Sequence, residues 1–180
     1  MALIRTPSQT VGPYVAIGFS PLADGDIVSA GAPGALEIVG RLLDGAGAPI
    51  PDGAVEIFQA DPQGRFAPDA AEGFGGYGRS MTGPDGAFRF RTLKPGSVPL
   101  DTGTAQAPHL EVLAFARGLL RSVRTRCYFP DEEAANALDP VLCGIDPSRR
   151  ATLIATPEAP GRLRFDIHLQ GESETVFFGH

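Results

Sequence analysis

The chain has 180 residues, 43% of them apolar, and a net charge of −6 at neutral pH. That length fits one domain with a sizeable core. An acidic balance without a basic cluster argues against binding a nucleic-acid backbone or an anionic membrane, and no uninterrupted apolar run approaches the ~20 residues of a membrane span.

With 23 Gly and 17 Pro, the composition interrupts long helices and suits short strands joined by turns. The N-terminus, Met1-Ala2-Leu3-Ile4-Arg5-Thr6-Pro7, lacks the basic start and apolar stretch of a secretory signal, so a cytoplasmic location is expected. Residues 1–34 show little periodicity and read as an extended arm with turns, which needs another surface, such as a subunit interface, to order it. From Ala35 the pattern has period two. Leu36, Ile38 and Leu42 share one strand face; Ala54 to Gln59 follow after Asp52-Gly53; Phe88 and Phe90 alternate with Arg89 and Arg91 after Asp85-Gly86. Leu110, Val112, Ala114 and Ala116 form one face of the next strand. Val123, Thr125, Cys127 and Phe129 then alternate with Arg124, Arg126 and Tyr128. Leu163, Phe165, Ile167 and Leu169 alternate with Arg162, Arg164, Asp166 and His168. Short helices are expected at 131–138, where Asp131-Glu132-Glu133 supplies favourable first-turn charge, and at 147–151. The expected fold is all-β: residues 35–180 form an antiparallel β-sandwich, with residues 1–34 as its arm.

Several residues invite chemical readings. His109 and Glu111 are two apart on a strand, so both leave the same face. With His168 they make two imidazoles and one carboxylate, the inventory of a free-standing non-haem Fe(II) oxygenase. His168, however, shares its face with two arginines and an aspartate, as a solvated residue does. The plain reading pairs Glu111 with a nearby arginine and leaves His109 hydrogen-bonded within the fold. Cys127 and Cys143 have no metal-ligand spacing, and Cys127 reads as a buried reduced thiol. Gly73-Phe74-Gly75-Gly76-Tyr77-Gly78 has the look of a phosphate loop, but no helix pattern or Gly-Lys-Ser follows it, so a surface loop is expected. Ser80 and Ser97 have no evident His and acid partners. In the arm, Gly12 leaves room for close approach to the backbone, Pro13 fixes the direction of Tyr14, and Tyr14 offers a flat apolar face with a hydroxyl at its tip. A non-enzymatic β-sandwich binding module is the remaining alternative.

Gly64-Arg65-Phe66, Lys94-Pro95-Gly96-Ser97-Val98-Pro99 and Ala107-Pro108-His109-Leu110-Glu111, with Thr10-Val11-Gly12-Pro13-Tyr14 and Phe115-Ala116-Arg117-Gly118, resemble the intradiol ring-cleaving dioxygenases. Catalytic chains of that family hold Fe(III) with two Tyr and two His, in segments reading G-R-Y, K-P-G-x-Y-P and P-x-H-x-H. Phe66, Val98, His109 and Glu111 stand at the matching positions, so one donor of four survives. The resemblance therefore implies a subunit that holds no metal and has no catalytic residue of its own. It would pair with a homologous beta subunit that carries Fe(III), in αβ units that assemble further. The pair would cleave protocatechuate (3,4-dihydroxybenzoate) with O2 to 3-carboxy-cis,cis-muconate. It further implies that Thr10, Gly12, Pro13 and Tyr14 wall the partner's substrate pocket. Arg117 would meet the substrate carboxylate, because a guanidinium makes strong charge-assisted bonds to one. Arg117 cannot serve a cluster at His109, since eight residues of strand separate their backbones by about 26 Å.

Overall fold

A computed structural model describes residues 6–67, 69–101 and 103–179. Two sheets carry the fold. One contains β1 (Ala35–Leu43) at its centre, with β4 (Ala87–Leu93) antiparallel on one side. On the other side lie β10 (Arg162–Arg164) and β11 (Ile167–His168), and β10 pairs outward with β9 (Thr156–Ala159). The second sheet is antiparallel throughout, in the order β3 (Tyr77–Met81), β2 (Ala54–Phe58), β7 (His109–Phe115), β8 (Val123–Tyr128). A small hairpin, β5 (Val98–Pro99) with β6 (Ala105–Gln106), stands apart.

The period-two pattern places the core between the sheets. Ile38, Leu42, Phe88, Phe90, Val55, Ile57, Leu110, Val112, Cys127, Phe165 and Ile167 face one another there and are buried. Burying a side chain of this size contributes ~2 kcal/mol. At Gly40 of β1 there is no room for a side chain, because a Cβ would strike the Phe165 carbonyl and the Phe88 ring. Phe165 can therefore lie against β1 and donate its N–H to the Val39 carbonyl at 2.8 Å.

The sandwich is mixed rather than purely antiparallel. Residues 162–169 run parallel to β1 in two pieces. Between the pieces Asp166 turns its carboxylate into the ladder and accepts the Arg41 N–H at 2.9 Å. Sequence periodicity missed β3 and β9. β3 begins inside the glycine-rich segment read as a loop, where Gly76 has φ +64° and a Cβ would meet the Gln59 carbonyl.

The helices also differ from expectation. The segment 131–138 holds only one turn, α2 (Glu133–Asn136), and Asp131 and Glu132 instead pair with Lys94. A 3-10 turn at Arg150–Leu153 stands where a helix over 147–151 was expected. The chain also forms α3 (Pro140–Cys143), capped by Asp139, whose carboxylate accepts from Val141 and Leu142 N–H. Asp-Pro at N-cap and N1 was the local signal for it.

The arm is not wholly extended. Pro13 opens a helix, α1 (Pro13–Phe19), followed by a 3-10 turn at Ser20–Leu22. None of the α1 side chains is buried. Residues 24–27 then join the sandwich where its two sheets meet. The Asp24 carbonyl accepts from Arg79 of β3, and the Gly25 carbonyl accepts from Arg91 of β4. Phe19 lies against the Arg79 guanidinium at 4.1 Å, which is itself held by Glu56 at 2.6 Å.

Candidate functional site

The four positions matched to metal ligands are brought toward one another in the fold by the β2–β7 ladder and the β5–β6 hairpin. Phe66 stacks on Phe58, with ring centroids 5.2 Å apart. Phe58 is the ladder partner of Glu111, so the Phe66 ring reaches the same part of the sheet. Val98 pairs with Gln106, three residues before His109. Gly64, at φ +77°, lets the Phe66 loop touch the Val98 loop; a Cβ there would strike the Ser97 carbonyl. The Phe66 loop is tied down by Asp61, a buried carboxylate that accepts the N–H groups of Gln63, Arg65 and Ala71 and pairs with the Arg65 guanidinium at 2.8 Å. Burial pushes the Asp61 pKa up, but these hydrogen bonds outweigh burial and hold it at about 2.

Beside Phe58, a polar network fills the position. His109 is 4% exposed, and its Nδ1–H donates to the Ala107 carbonyl at 2.7 Å. Its Nε2 stands 3.6 Å from Glu111 Oε1, and its ring rests on Tyr128. Glu111 accepts from Arg126 Nε at 2.7 Å and from Arg124 Nε at 2.9 Å, one oxygen to each. Arg126 also donates to the Tyr128 hydroxyl, which donates to Asp139. Burial alone would raise the Glu111 pKa. The neighbouring His109 ring, the hydrogen bond from Arg124 and the charges of Arg126 and Arg124 more than reverse this and bring it to about 2. Arg126 and Tyr128, which alternate along β8 with its core-facing residues, are both buried. A second apolar cluster of Ala107, Tyr128, Leu142 and Leu153, built from α3 and the 3-10 turn, covers that end of the sheet.

This donor set does not fit ferric iron. Phe66 and Val98 offer no donor atom, which leaves His109 Nε2 as the one surviving donor of the family's set, and the one anionic group, Glu111, is already neutralised by two guanidiniums that would repel a trivalent cation. Nor does the fold assemble the Fe(II) triad of His109, Glu111 and His168. His168 pairs with Leu43 in the other sheet, in a cleft of about 320 Å³. Among the described residues, no group of three or more His, Cys, Asp and Glu is arranged to hold a metal ion.

The arm and Arg117 do come together. The Thr10 hydroxyl accepts the Gly118 N–H at 2.8 Å, and Ser8 accepts from Arg121 at 3.3 Å. The arm thus lies along the turn that joins β7 to β8, over a cleft of about 180 Å³ lined by Val11, Phe115 and Leu119. Nothing lies within 4 Å of a Cβ placed on Gly12, Pro13 begins α1, and Tyr14 is 82% exposed. Arg117 is exposed and touches Asp52. Thr10 is thus bonded to the residue that follows Arg117, and Gly12, Pro13 and Tyr14 continue the arm from there.

The remaining signals are structural. Ser80 accepts the Arg89 N–H at the corner between sheets. Burial raises the Cys127 thiol well above its ordinary pKa, while Cys143 is exposed. No described helix is long and apolar enough to cross a membrane.

Two facing sheets with this end-of-sheet constellation define a protein class, and the chain's relatives identify it. The chain matches the Dioxygenase family model over residues 22–171. It belongs to this family, the intradiol ring-cleavage dioxygenases. More particularly, it is 44% identical to the protocatechuate 3,4-dioxygenase alpha chain of Burkholderia cepacia, over 98% of each chain. It is 33% identical to the beta chain from the same organism, over 77% of this chain and 65% of that one. The solved dioxygenase domain of a dioxygenase carbohydrate-binding protein fusion from Streptomyces sp. SirexAA-E has a TM-score of 0.65 and 28% identity, covering 83% of this chain and 88% of that one.

Proposed function

We propose that this chain is the alpha subunit of a protocatechuate 3,4-dioxygenase, acting in the cytoplasm with a homologous beta subunit. The beta subunit holds the Fe(III), and the αβ pairs assemble into a larger oligomer. Together they open 3,4-dihydroxybenzoate between its hydroxyl-bearing carbons, with O2, to 3-carboxy-cis,cis-muconate. The observation that supports this reading is the Glu111 network: the residue at the family's ligand position is paired with Arg126 and Arg124, which favours iron chemistry on another chain. The similarity to both an alpha and a beta chain supports the pairing.

In this reading the chain contributes binding and orientation, and no step of electron transfer runs through it. Its exposed surface of Thr10, Gly12, Pro13, Tyr14 and Arg117 is laid against the partner's pocket. The Tyr14 ring excludes water from the aromatic substrate, and Arg117 meets the substrate carboxylate.

Purifying the chain alone and together with a beta-type chain tests the proposal. The chain alone is expected to take up no stoichiometric iron and to consume no O2, while the pair does both with 3,4-dihydroxybenzoate. In the pair, Tyr14→Ala and Arg117→Ala should weaken substrate use with iron content unchanged. A competent iron centre on this chain alone would overturn the proposal.

A further inference from the structure

Arg117 has a companion that the sequence did not single out. Its Nη2 lies 3.6 Å from Asp52 Oδ2. Asp52 sits in the turn between β1 and β2, and the register that pairs Ala54 with Phe115 brings this turn beside the end of β7. Asp52 is the single non-glycine residue with positive φ, 58°, among the described residues. That left-handed backbone is tolerated by Asp and Asn and costly for most others. The turn is also pinned from below. Gly53 N–H donates to the Thr82 hydroxyl at 2.7 Å, and the Gly53 carbonyl accepts the Thr82 N–H at 2.8 Å. On the other flank of Arg117, Gly118 is held by Thr10. Arg117 thus projects between two anchored backbones, with a carboxylate at one edge of its guanidinium.

A contact at one edge limits the swing of a planar guanidinium and leaves its other donors free for a second carboxylate. Both side chains are more than half exposed, so the pair adds little to folding, and its consequence lies in where the charge is held. We infer that Asp52 is a positioning residue that sets the direction of Arg117 for the carboxylate of the substrate. This inference rests on the reading of Arg117 under the proposed function.

The test uses the assembled αβ enzyme and compares 3,4-dihydroxybenzoate with 4-methylcatechol, which lacks the carboxylate. Asp52→Asn keeps the left-handed backbone while removing the charge. It should raise KM for 3,4-dihydroxybenzoate about two- to fivefold, the size an exposed ion pair supplies, with kcat little changed and no effect on 4-methylcatechol. Added to Arg117→Ala, it should do nothing more. An unchanged or lowered KM in Asp52→Asn, with a raised KM in Arg117→Ala, would refute the role of Asp52 and leave the proposed function standing. An equal rise on both substrates would show a merely structural role and also refute it. A neutral Arg117→Ala would remove the reading of Arg117 itself, and the inference with it.

Discussion

Glu111 and Arg126 stand directly opposite each other across the β7–β8 ladder, with Arg126 Nε 2.7 Å from Glu111 Oε1. Neither side chain is more than 14% exposed, so each is the main compensation for the other's burial.

Removing one partner should therefore cost more than removing both. Glu111→Ala leaves Arg126 buried and short of its carboxylate, and should lower unfolding free energy by about 3 kcal/mol. Glu111→Leu with Arg126→Leu should recover most of that loss. Urea unfolding of the three proteins measures the difference; equal destabilisation by the single and double variants would count against the pair.

The same carboxylate sets part of the acid limb of stability. Its folded pKa of about 2 lies below its ordinary value of 4.5, so its contribution is fully present above 4.5 and is lost as pH falls toward 2. Asp61 behaves in the same sense over a window that opens lower, from 3.8 toward about 2. Glu111→Gln should flatten the stability curve first at the upper end of this range, whereas Asp61→Asn should flatten it only further down. Denaturation midpoints measured from about pH 5 down to about pH 2.5 separate the two.

Restoring the missing donors should not suffice to restore a metal site. Phe66→Tyr, Val98→Tyr and Glu111→His together supply the family's ligand types, but they leave Arg124 and Arg126 facing the new site without their carboxylate. The triple variant should bind no ferric iron and stay colourless, and adding Arg126→Gln and Arg124→Gln should allow a visible tyrosinate-to-iron absorption band. Colour in the triple variant would mean that the guanidiniums are not the barrier.

The Thr10–Gly118 bond should matter for the arm and not for the sandwich. Thr10→Val removes an acceptor on the surface, so global unfolding free energy should change by less than about 1 kcal/mol. Limited proteolysis within residues 6–12 should become faster, because the longer Ser8–Arg121 bond is then left to hold that stretch beside the packing of Val11. Unchanged cleavage would show that the bond does not anchor the arm.

Much of this protein is written locally along the chain. Alternation at Ile38–Leu42, Phe88–Phe90 and Leu110–Ala116 marks the core faces because a strand sends successive side chains to opposite sides, whatever its partners. The loss of two tyrosine donors at Phe66 and Val98 needs no coordinates either, since a missing oxygen is a fact of covalent structure. What fills the place of those donors is another matter. Arg126 meets Glu111 only through the β7–β8 register, and Tyr128 is buried where α3 and the 3-10 turn at Arg150–Leu153 pack against that end of the sheet. His168 is kept from His109 by belonging to the other sheet, and Asp52 reaches Arg117 only where a turn meets the end of a strand far along the chain. Residue order thus decided which faces are apolar and which donors exist. Register and layer packing, which depend on contacts between distant segments, decided which charges meet.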